Sequence, residues 1–299
     1  MREKFLPVVL IAVAAVAEAF PNVSVQDAAA KAQQLIAQAR AALGGEKLKS
    51  MTSLSATGNL RRKMGQMEMS GELQIDLLLP DKMLRVETMT MMGGVELTRS
   101  EAVNGANVWT DQQTSGQGGG MVMIRRPGSD TPQGQAMQQN AVRAESARTM
   151  LGWLLATLSS FPVEYNYAGV AESPDGKADV LDVKGPNNFA VQLFLDQNSH
   201  KPLMLTFKGR KARIITSTMQ GGASRSEEEV KKQMADAEAK AAAEPLVEYQ
   251  VAFSDYREVG GLSFPHRITR SVENEVNEEW EMTKFKINPQ LKPEKFEKK

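Results

Sequence analysis

Two histidines and the absence of cysteine limit the catalytic chemistry open to this 299-residue chain. His200 lies in the turn-rich stretch DQNSHK and His266 in SFPHRITR, and neither has partners at the spacing of a catalytic triad or a zinc site. GGEKLKS follows a helical pattern and lacks the spacing of a phosphate-binding loop, and no spacing singles out a pair of catalytic carboxylates. We therefore expect a protein that is not an enzyme, with no catalytic residue, bound metal or cofactor.

Methionine is the other residue type that could carry chemistry, and it clusters in VETMTMMGG, MGQMEMSG and MVM. Thioethers bind Cu(I), so copper binding is one hypothesis. No histidine accompanies these clusters, however, and Met89 and Met91 share a strand face with Arg85 and Glu87. Methionine also packs ordinary cores and lines apolar surfaces that accept variable partners. Core packing and an adaptable apolar interior are both favoured over copper.

The balance of charge and the N-terminal segment indicate where the protein works. Lys+Arg and Asp+Glu both number 36, so the chain lacks the basic excess that nucleic-acid binding requires. Arg2 and Lys4 precede a short apolar stretch, Phe5–Ala17, which runs into the small-x-small sequence Ala17–Ala19. This pattern predicts a secretory signal peptide over residues 1–19 and a soluble exported protein. An uncleaved anchor is the alternative, and the shortness of the apolar stretch disfavours it.

The remaining chain, residues 20–299, is predicted to form a single domain of the α+β class that is mainly β. In MEMSGELQIDLLLP, apolar and polar residues alternate, which indicates a strand of an antiparallel sheet with one dry face. Short connections such as SPDG, KGPNN and EVGG indicate consecutive hairpins. About ten or eleven strands in this order must curl, because a flat sheet of that size leaves its edges unprotected.

Two helices and two interruptions complete the predicted organisation. A helix should run from about Ser24 to Gly44, and a second, with a leucine stripe, near Ala141–Ser159. Residues 112–140 are rich in Gly, Gln and Met and predict a flexible loop. Residues 221–245 predict a charged helical insertion, which is either solvated or a partner-binding arm.

Strand parity places a set of apolar residues on one side of each strand and predicts the walls of a cavity. The predicted cavity residues are Met67, Met69, Leu73, Ile75, Leu77, Val191, Leu193, Val251 and Phe253. The predicted lid residues over them are Leu151, Leu154, Leu155 and Leu158. Such an interior would accept acyl chains, because burying a methylene gains about 0.8 kcal/mol.

Four motifs in order carry a resemblance to a known family: GELQIDLLLPDKMLRVE, NGANVWT, SDYREVGGLSFPHRI and TKFKINPQLKPEKF. In order and spacing they resemble the LolA-like outer-membrane lipoprotein-sorting proteins of the LolA/LolB half-barrel superfamily, over roughly Leu54 to Phe296. The resemblance implies an incomplete antiparallel barrel around a helical lid. The family places an arginine directly before the proline matched by Pro80, where it holds the lid, and this chain has Leu79. Because that arginine is missing, the resemblance does not imply that this lid is latched.

The resemblance also implies a function and partners. The expected function is a monomeric periplasmic carrier, or chaperone, that binds acyl chains of lipoproteins or lipids and moves them toward the outer membrane. Its partners would include transport components of the inner and outer membranes. The alternative is a half-barrel that senses envelope stress or docks protein partners without carrying lipid. An interior filled by the protein's own side chains would favour this alternative.

Overall fold

The computed structural model describes residues 25–65, 67–90, 94–115, 131–211 and 245–298. The predicted signal peptide, the predicted strand at residues 212–219 and nearly all of the predicted charged insertion lie outside these ranges. The helical elements are α1 (Val25–Leu43), α2 (Glu46–Lys49), α3 (Pro132–Leu154) and a 3-10 turn (Pro293–Phe296). The strands are β1 (Ser53–Met64), β2 (Met67–Leu78), β3 (Lys82–Thr90), β4 (Glu96–Asn104), β5 (Asn107–Ser115), β6 (Glu164–Ser173), β7 (Gly176–Gly185), β8 (Phe189–Asp196), β9 (Pro202–Gly209), β10 (Val247–Val259), β11 (Leu262–Val272) and β12 (Glu275–Ile287).

All twelve strands belong to one antiparallel sheet in the order β5-β4-β3-β2-β1-β12-β11-β10-β9-β8-β7-β6. The first and last strands pair with each other at its centre, and β5 and β6 form its two edges. The sheet is curved and unclosed, and helices lie against its concave face. The predicted fold class, an incomplete antiparallel barrel with a helical lid, is confirmed, with twelve strands instead of ten or eleven.

Strand β2 shows how the alternating pattern produces this sheet. Leu73, Ile75 and Leu77 point to the concave face and are at most 1% exposed, while Glu72 on the other face is exposed. The polar face departs from the prediction at one position, because Asp76 is completely buried. The C-terminal segment covers it, and Lys295 Nζ lies 2.6 Å from its carboxylate.

Helix α3 is longer at its start than the sequence predicted. Thr131 caps it by accepting a hydrogen bond from Gly134 N at 3.0 Å, and Pro132 occupies the first turn. The predicted flexible loop at 112–140 is therefore wrong at both ends, because residues 112–115 continue β5 and 132–140 are helical. This first part of α3 is largely exposed and lacks an apolar stripe, so its sequence gave no helical period to detect. The helix ends at Leu154, not at Ser159, because Leu155 adopts the left-handed conformation with φ 52°.

The main hydrophobic core lies between the concave face, α1 and α3. Two smaller clusters lie on the opposite face, and one of them packs Phe296 of the C-terminal turn over Leu84 and Ala102. Across the described ranges, no helix is both long enough and apolar enough to cross a membrane.

Candidate functional site

The structure brings the predicted cavity and lid residues into one buried cluster. Seven of the nine predicted wall residues are at most 4% exposed, and the four lid leucines are at most 3% exposed; the seven are Leu73, Ile75, Leu77, Val191, Leu193, Val251 and Phe253. Met69 is half-buried against the same cluster, and the side chain of Met67 lies outside the description. Since β2 and β8 are six places apart in the sheet order, only the curvature of the sheet and the bridging helix α3 can join them. In this closed arrangement, the lid leucines occupy the concave face themselves.

The lid helix fits closely on strand β10. A Cβ added to Gly152 would lie only 2.0 Å from Cζ of Phe253, so the phenyl ring rests directly on the helix backbone. Trp153, the next residue of the lid, meets the ring of Phe285 edge to face at 5.5 Å between centroids. The absence of a side chain at position 152 therefore sets how near the lid approaches the sheet.

Helix α1 supplies the attachment at the end of the lid. Arg40 donates from Nε and Nη2 to the Leu155 carbonyl oxygen, at 3.2 and 2.6 Å. Tyr165 Oη donates to the same oxygen at 3.3 Å, and burial raises the pKa of this tyrosine to about 12. Because a helix end leaves carbonyl groups without partners, Arg40 satisfies a group that would otherwise be costly to bury. Leu79 itself packs against the core, and the arginine that bonds the end of the lid comes from α1.

Polar contacts also attach the first half of α3. Arg143 Nη1 donates to the Gly105 carbonyl at 3.1 Å, and its Nη2 donates to the carbonyl of Ala106. Gln138 Nε2 donates to Thr110 Oγ1 at 2.8 Å, which ties the helix to edge strand β5. The lid is thus held by hydrogen bonds near its two ends and by leucines in its last turns.

Charged side chains occupy the same concave face beside the leucines. We define the interior ion cluster as Arg62, Arg85, Glu87, Glu145, Arg148, Arg270 and Glu278. Strand register explains the location, because Arg85 pairs with Ile75, and Arg62 and Arg270 both pair with Glu278. Arg62 contributes a 2.6 Å contact from Nε to Glu278 and a 3.1 Å contact from Nη2 to Glu87.

Glu145 connects this cluster to the lid. It is the α3 carboxylate in the cluster, and it contacts Arg85 at 3.4 Å, Arg148 at 3.4 Å and Arg270 more closely. The indole of Trp280 lies between two of the guanidinium groups, 4.6 Å from Arg85 and 4.9 Å from Arg270. Helix α3 therefore places one carboxylate, that of Glu145, among arginines of the sheet.

Two carboxylates of the cluster, those of Glu87 and Glu145, remain ionised in acid. Burial raises the pKa of Glu87, but Arg85 and Arg62 outweigh burial and hold the pKa at about 2. Burial likewise opposes ionisation of Glu145, and Arg270 and Arg148 bring its pKa down to about 2. The lid's ionic attachment is thus intact at neutral pH.

Sequence reasoning missed the ion cluster and the role of Arg40. The available signal was parity in β3, where Arg85 and Glu87 lie between Met83 and Met89 on the concave face. Met89 is buried, and its sulfur lies 3.7 Å from Arg62 Nη1, whereas Met91, Met121 and Met123 lie outside the described residues.

The histidines contribute to packing. His266 is buried, its Nδ1 lies 3.1 Å from the Phe264 carbonyl oxygen, and its ring meets Phe285 edge to face. His200 occupies the β8–β9 turn with φ 58°, and its backbone N–H donates to the Asp196 carbonyl at 2.8 Å. Within the described ranges, no three or more His, Asp and Glu residues form a group able to hold a metal ion.

Comparison with known proteins gives similarity at the level of fold. No protein-family model and no curated protein matches the sequence. A solved domain assigned as an outer membrane lipoprotein-sorting protein, from Vibrio parahaemolyticus, is similar with a TM-score of 0.49 and 13% identity, covering 90% of this chain and 97% of that one. A LolA superfamily protein from Nitrosomonas europaea has a TM-score of 0.46 and 11% identity, with coverage of 89% and 97%. A DUF1329 family protein from Desulfovibrio piger has a TM-score of 0.43 and 8% identity, with the same coverage. Two of these similar structures are an outer membrane lipoprotein-sorting domain and a LolA superfamily protein, the kind of protein that the four sequence motifs resemble.

Proposed function

We propose that the protein is a non-enzymatic carrier that holds acyl chains of lipids or lipoproteins between helix α3 and the concave face of its sheet. The observation that supports this proposal is that the apolar and the polar contacts of the lid have separate roles. Its underside is a leucine stripe on a continuous apolar wall, while polar groups such as Arg40 and Glu145 attach it. Polar attachments can be exchanged for water when the lid lifts, and the wall then offers a surface for an acyl chain.

The four lid leucines and a long acyl chain gain comparable free energies when they are buried against the wall. Burying the four lid leucines stabilises the closed state by about 6–12 kcal/mol, at about 1.5–3 kcal/mol for each side chain. A chain of about sixteen carbons gains up to about 12 kcal/mol at about 0.8 kcal/mol per methylene. An acyl chain can therefore replace the leucines at little net cost, and the polar attachments decide how readily the lid opens.

The predicted signal peptide supports action in the periplasm. The resemblance supports transport toward the outer membrane, with donor and acceptor components in the two membranes as partners. We propose that the carrier acts as a monomer, because one chain provides both the wall and the lid.

A charge placed on the wall tests the proposal. Leu73→Glu puts a carboxylate among buried leucines and should abolish uptake of a fluorescent fatty acid, because an unpaired buried charge is costly. Glu72→Ala, on the exposed face of the same strand, should leave uptake unchanged. Circular dichroism must show that both variants are folded. Equal uptake by a folded Leu73→Glu variant and the control would contradict the wall assignment.

A second candidate is a half-barrel that docks protein partners and carries no lipid. The observation that favours it is the closed interior, where wall residues are almost fully buried and Phe253 rests on Gly152. Acyl chains that carry bromine near their middle distinguish the carrier from the docking protein, because bromine quenches the fluorescence of a nearby indole. Quenching of Trp153, read in a background that carries both Trp109→Phe and Trp280→Phe, supports the carrier. If excess brominated lipid leaves the tryptophan fluorescence unchanged, the docking function is supported.

A further inference from the structure

The interior ion cluster contains one more cation than anion. Four guanidinium groups, those of Arg62, Arg85, Arg148 and Arg270, face the carboxylates of Glu87, Glu145 and Glu278, so four against three leaves one positive charge. The adjacent pair of Arg99 and Glu101 is balanced and does not change the sum. Buried charges are normally paired, because removing an ion from water is expensive. The imbalance calls for an anion.

Arg148 is the least completely paired member. Its one carboxylate contact among the described residues is a 3.4 Å hydrogen bond from Nη1 to Glu145, which bonds more closely to Arg270. Within the described residues, the buried Nε–H of Arg148 has no hydrogen-bond partner, which is also true of Arg85 and Arg270. A guanidinium carries five N–H donors in a planar fork, and the described residues offer those of Arg148 one carboxylate acceptor, Glu145.

The surroundings of Arg148 orient this fork at the margin of the lid. Its guanidinium carbon lies 3.7 Å from the ring centroid of Phe207, which itself stacks on Tyr249 at 5.1 Å. The Arg148 side chain is 17% exposed, and both aromatic rings are half-buried. Stacking on Phe207 holds the plane of the guanidinium, and the exposed 17% of the side chain is where an anion would contact it.

We propose that Arg148 forms a subsite for a phosphate-bearing group, and that this group is the headgroup of an acyl lipid whose chain lies under the lid. The subsite rests on the proposed carrier function and adds to it a preference for anionic lipids. The chain would enter among the leucines, while the headgroup would stay at the margin, beside Phe207. The anion would then neutralise the excess charge of the cluster.

The electrostatics of the side chain support this assignment. Burial lowers the pKa of Arg148, and its contact with Glu145 does not compensate fully. Arg85, in contrast, has its pKa raised despite burial, because Glu87 and Glu278 lie close to it. Arg148 therefore differs from the arginines whose carboxylate partners are complete.

A matched pair of lipids tests the subsite. Oleoyl lysophosphatidic acid and mono-oleoylglycerol share one acyl chain and differ by a phosphate. The wild-type protein should bind the phosphorylated lipid about tenfold more tightly, as expected for a charge-assisted hydrogen bond. Arg148→Gln should remove this preference, so that the two lipids bind equally tightly. Arg267→Gln, which removes the same charge from an exposed position on the convex face, should keep the preference.

Each outcome decides between the proposals. Equal binding of the two lipids by the wild-type protein would overturn the subsite and leave the carrier intact. Binding of inorganic phosphate that requires Arg148, without binding of either lipid, would overturn the carrier and the headgroup assignment, and make free phosphate the ligand. No binding of either lipid or of phosphate would overturn both proposals.

The lipid preference separates a binding role from a structural one. Arg148→Gln removes the contact with Glu145 and the stacking on Phe207, so it should lower the unfolding midpoint of the lipid-free protein in either role. A merely structural role would leave the ratio of the two lipid affinities as it is in the wild type. Arg148→Lys keeps the charge and loses the fork, so it should retain only part of the preference for the phosphorylated lipid. A full preference in that variant would contradict bidentate recognition.

Discussion

Replacing Gly152 with Ala should push helix α3 away from strand β10. The new Cβ would lie 2.0, 2.3 and 2.8 Å from three ring carbons of Phe253, whereas ordinary contacts begin near 3.4 Å, so the ring or the helix must move by more than 1 Å. Overpacking of this kind costs up to about 3 kcal/mol in a buried site. Helix propensity opposes this loss, because Ala is favoured over Gly by about 1 kcal/mol in a helix interior. The net expectation is a loss of about 2 kcal/mol in the free energy of unfolding.

Urea unfolding measures this loss, and hydrogen exchange of the α3 amides reports whether the lid itself becomes looser. Two variants serve as controls. Ala141→Gly, at an exposed position of α3, should cost about 1 kcal/mol and measures helix propensity without the clash. Phe253→Leu in the Gly152→Ala background should make room and restore the propensity gain. Stabilisation of the otherwise wild-type protein by Gly152→Ala would refute the close fit of the lid on β10.

Three further predictions follow from the lid attachments and the C-terminal turn. Arg40→Ala removes two hydrogen bonds to the Leu155 carbonyl and should destabilise the protein by about 1.5–3 kcal/mol, measured by urea unfolding. Glu87 and Glu145 have folded-state pKa values of about 2 against an ordinary 4.5, so their contribution to stability is complete above pH 4.5 and is lost as the pH falls toward 2. Glu145→Gln should therefore flatten the acid side of a stability profile recorded from pH 2 to 7. Phe296→Ala empties a fully buried site and should cost about 3–5 kcal/mol, measured by thermal unfolding.

Matched exposed positions control these experiments. Lys31→Ala, on the exposed side of α1, should leave stability within about 0.5 kcal/mol of the wild type. Lys298→Ala does the same for the C-terminal segment. An Arg40→Ala variant as stable as Lys31→Ala would contradict the assignment of Arg40 as the lid attachment. If the stability of Glu145→Gln fell toward pH 2 as steeply as that of the wild type, the ion pairs of Glu145 would contribute nothing to closure.

The strands could be predicted because the alternation of apolar and polar residues in each strand shows which of its faces is buried. Leu73, Ile75 and Leu77 alternate with polar residues, and this period of two survives in the folded sheet. The number of strands was slightly underestimated, and the burial of Asp76 was not foreseen. Its cause is the C-terminal turn, whose contact with β2 lies more than 200 residues away in sequence and has no local signal.

The lid was predicted in its buried half only. Leu151 and Leu154 form an apolar stripe, whereas the residues before Ala141 lie largely in solvent and are helical because of Thr131 and Pro132 at the helix start. A capping signal within a Gln-rich segment is weak without an apolar period beside it. The attachment by Arg40 depends on how α1 and α3 meet in space, which a linear pattern does not encode.

The alternating pattern that predicted the apolar wall could not predict the ion cluster. Arg85 and Glu87 occupy inward positions of β3, where the pattern predicts apolar residues. Charged residues at such positions become interpretable only when their partners are known, and Glu145 and Arg270 belong to other elements. The departure of a strand from its expected pattern was the one local sign of a functional region.

Native mass spectrometry of the protein purified from cells that export it tests the central claim most directly. We predict co-purifying acylated species that disappear in Leu73→Glu and persist in Glu72→Ala. A wild-type protein that carries no lipid, and still carries none after incubation with phospholipid or lipoprotein, would contradict an acyl-chain carrier.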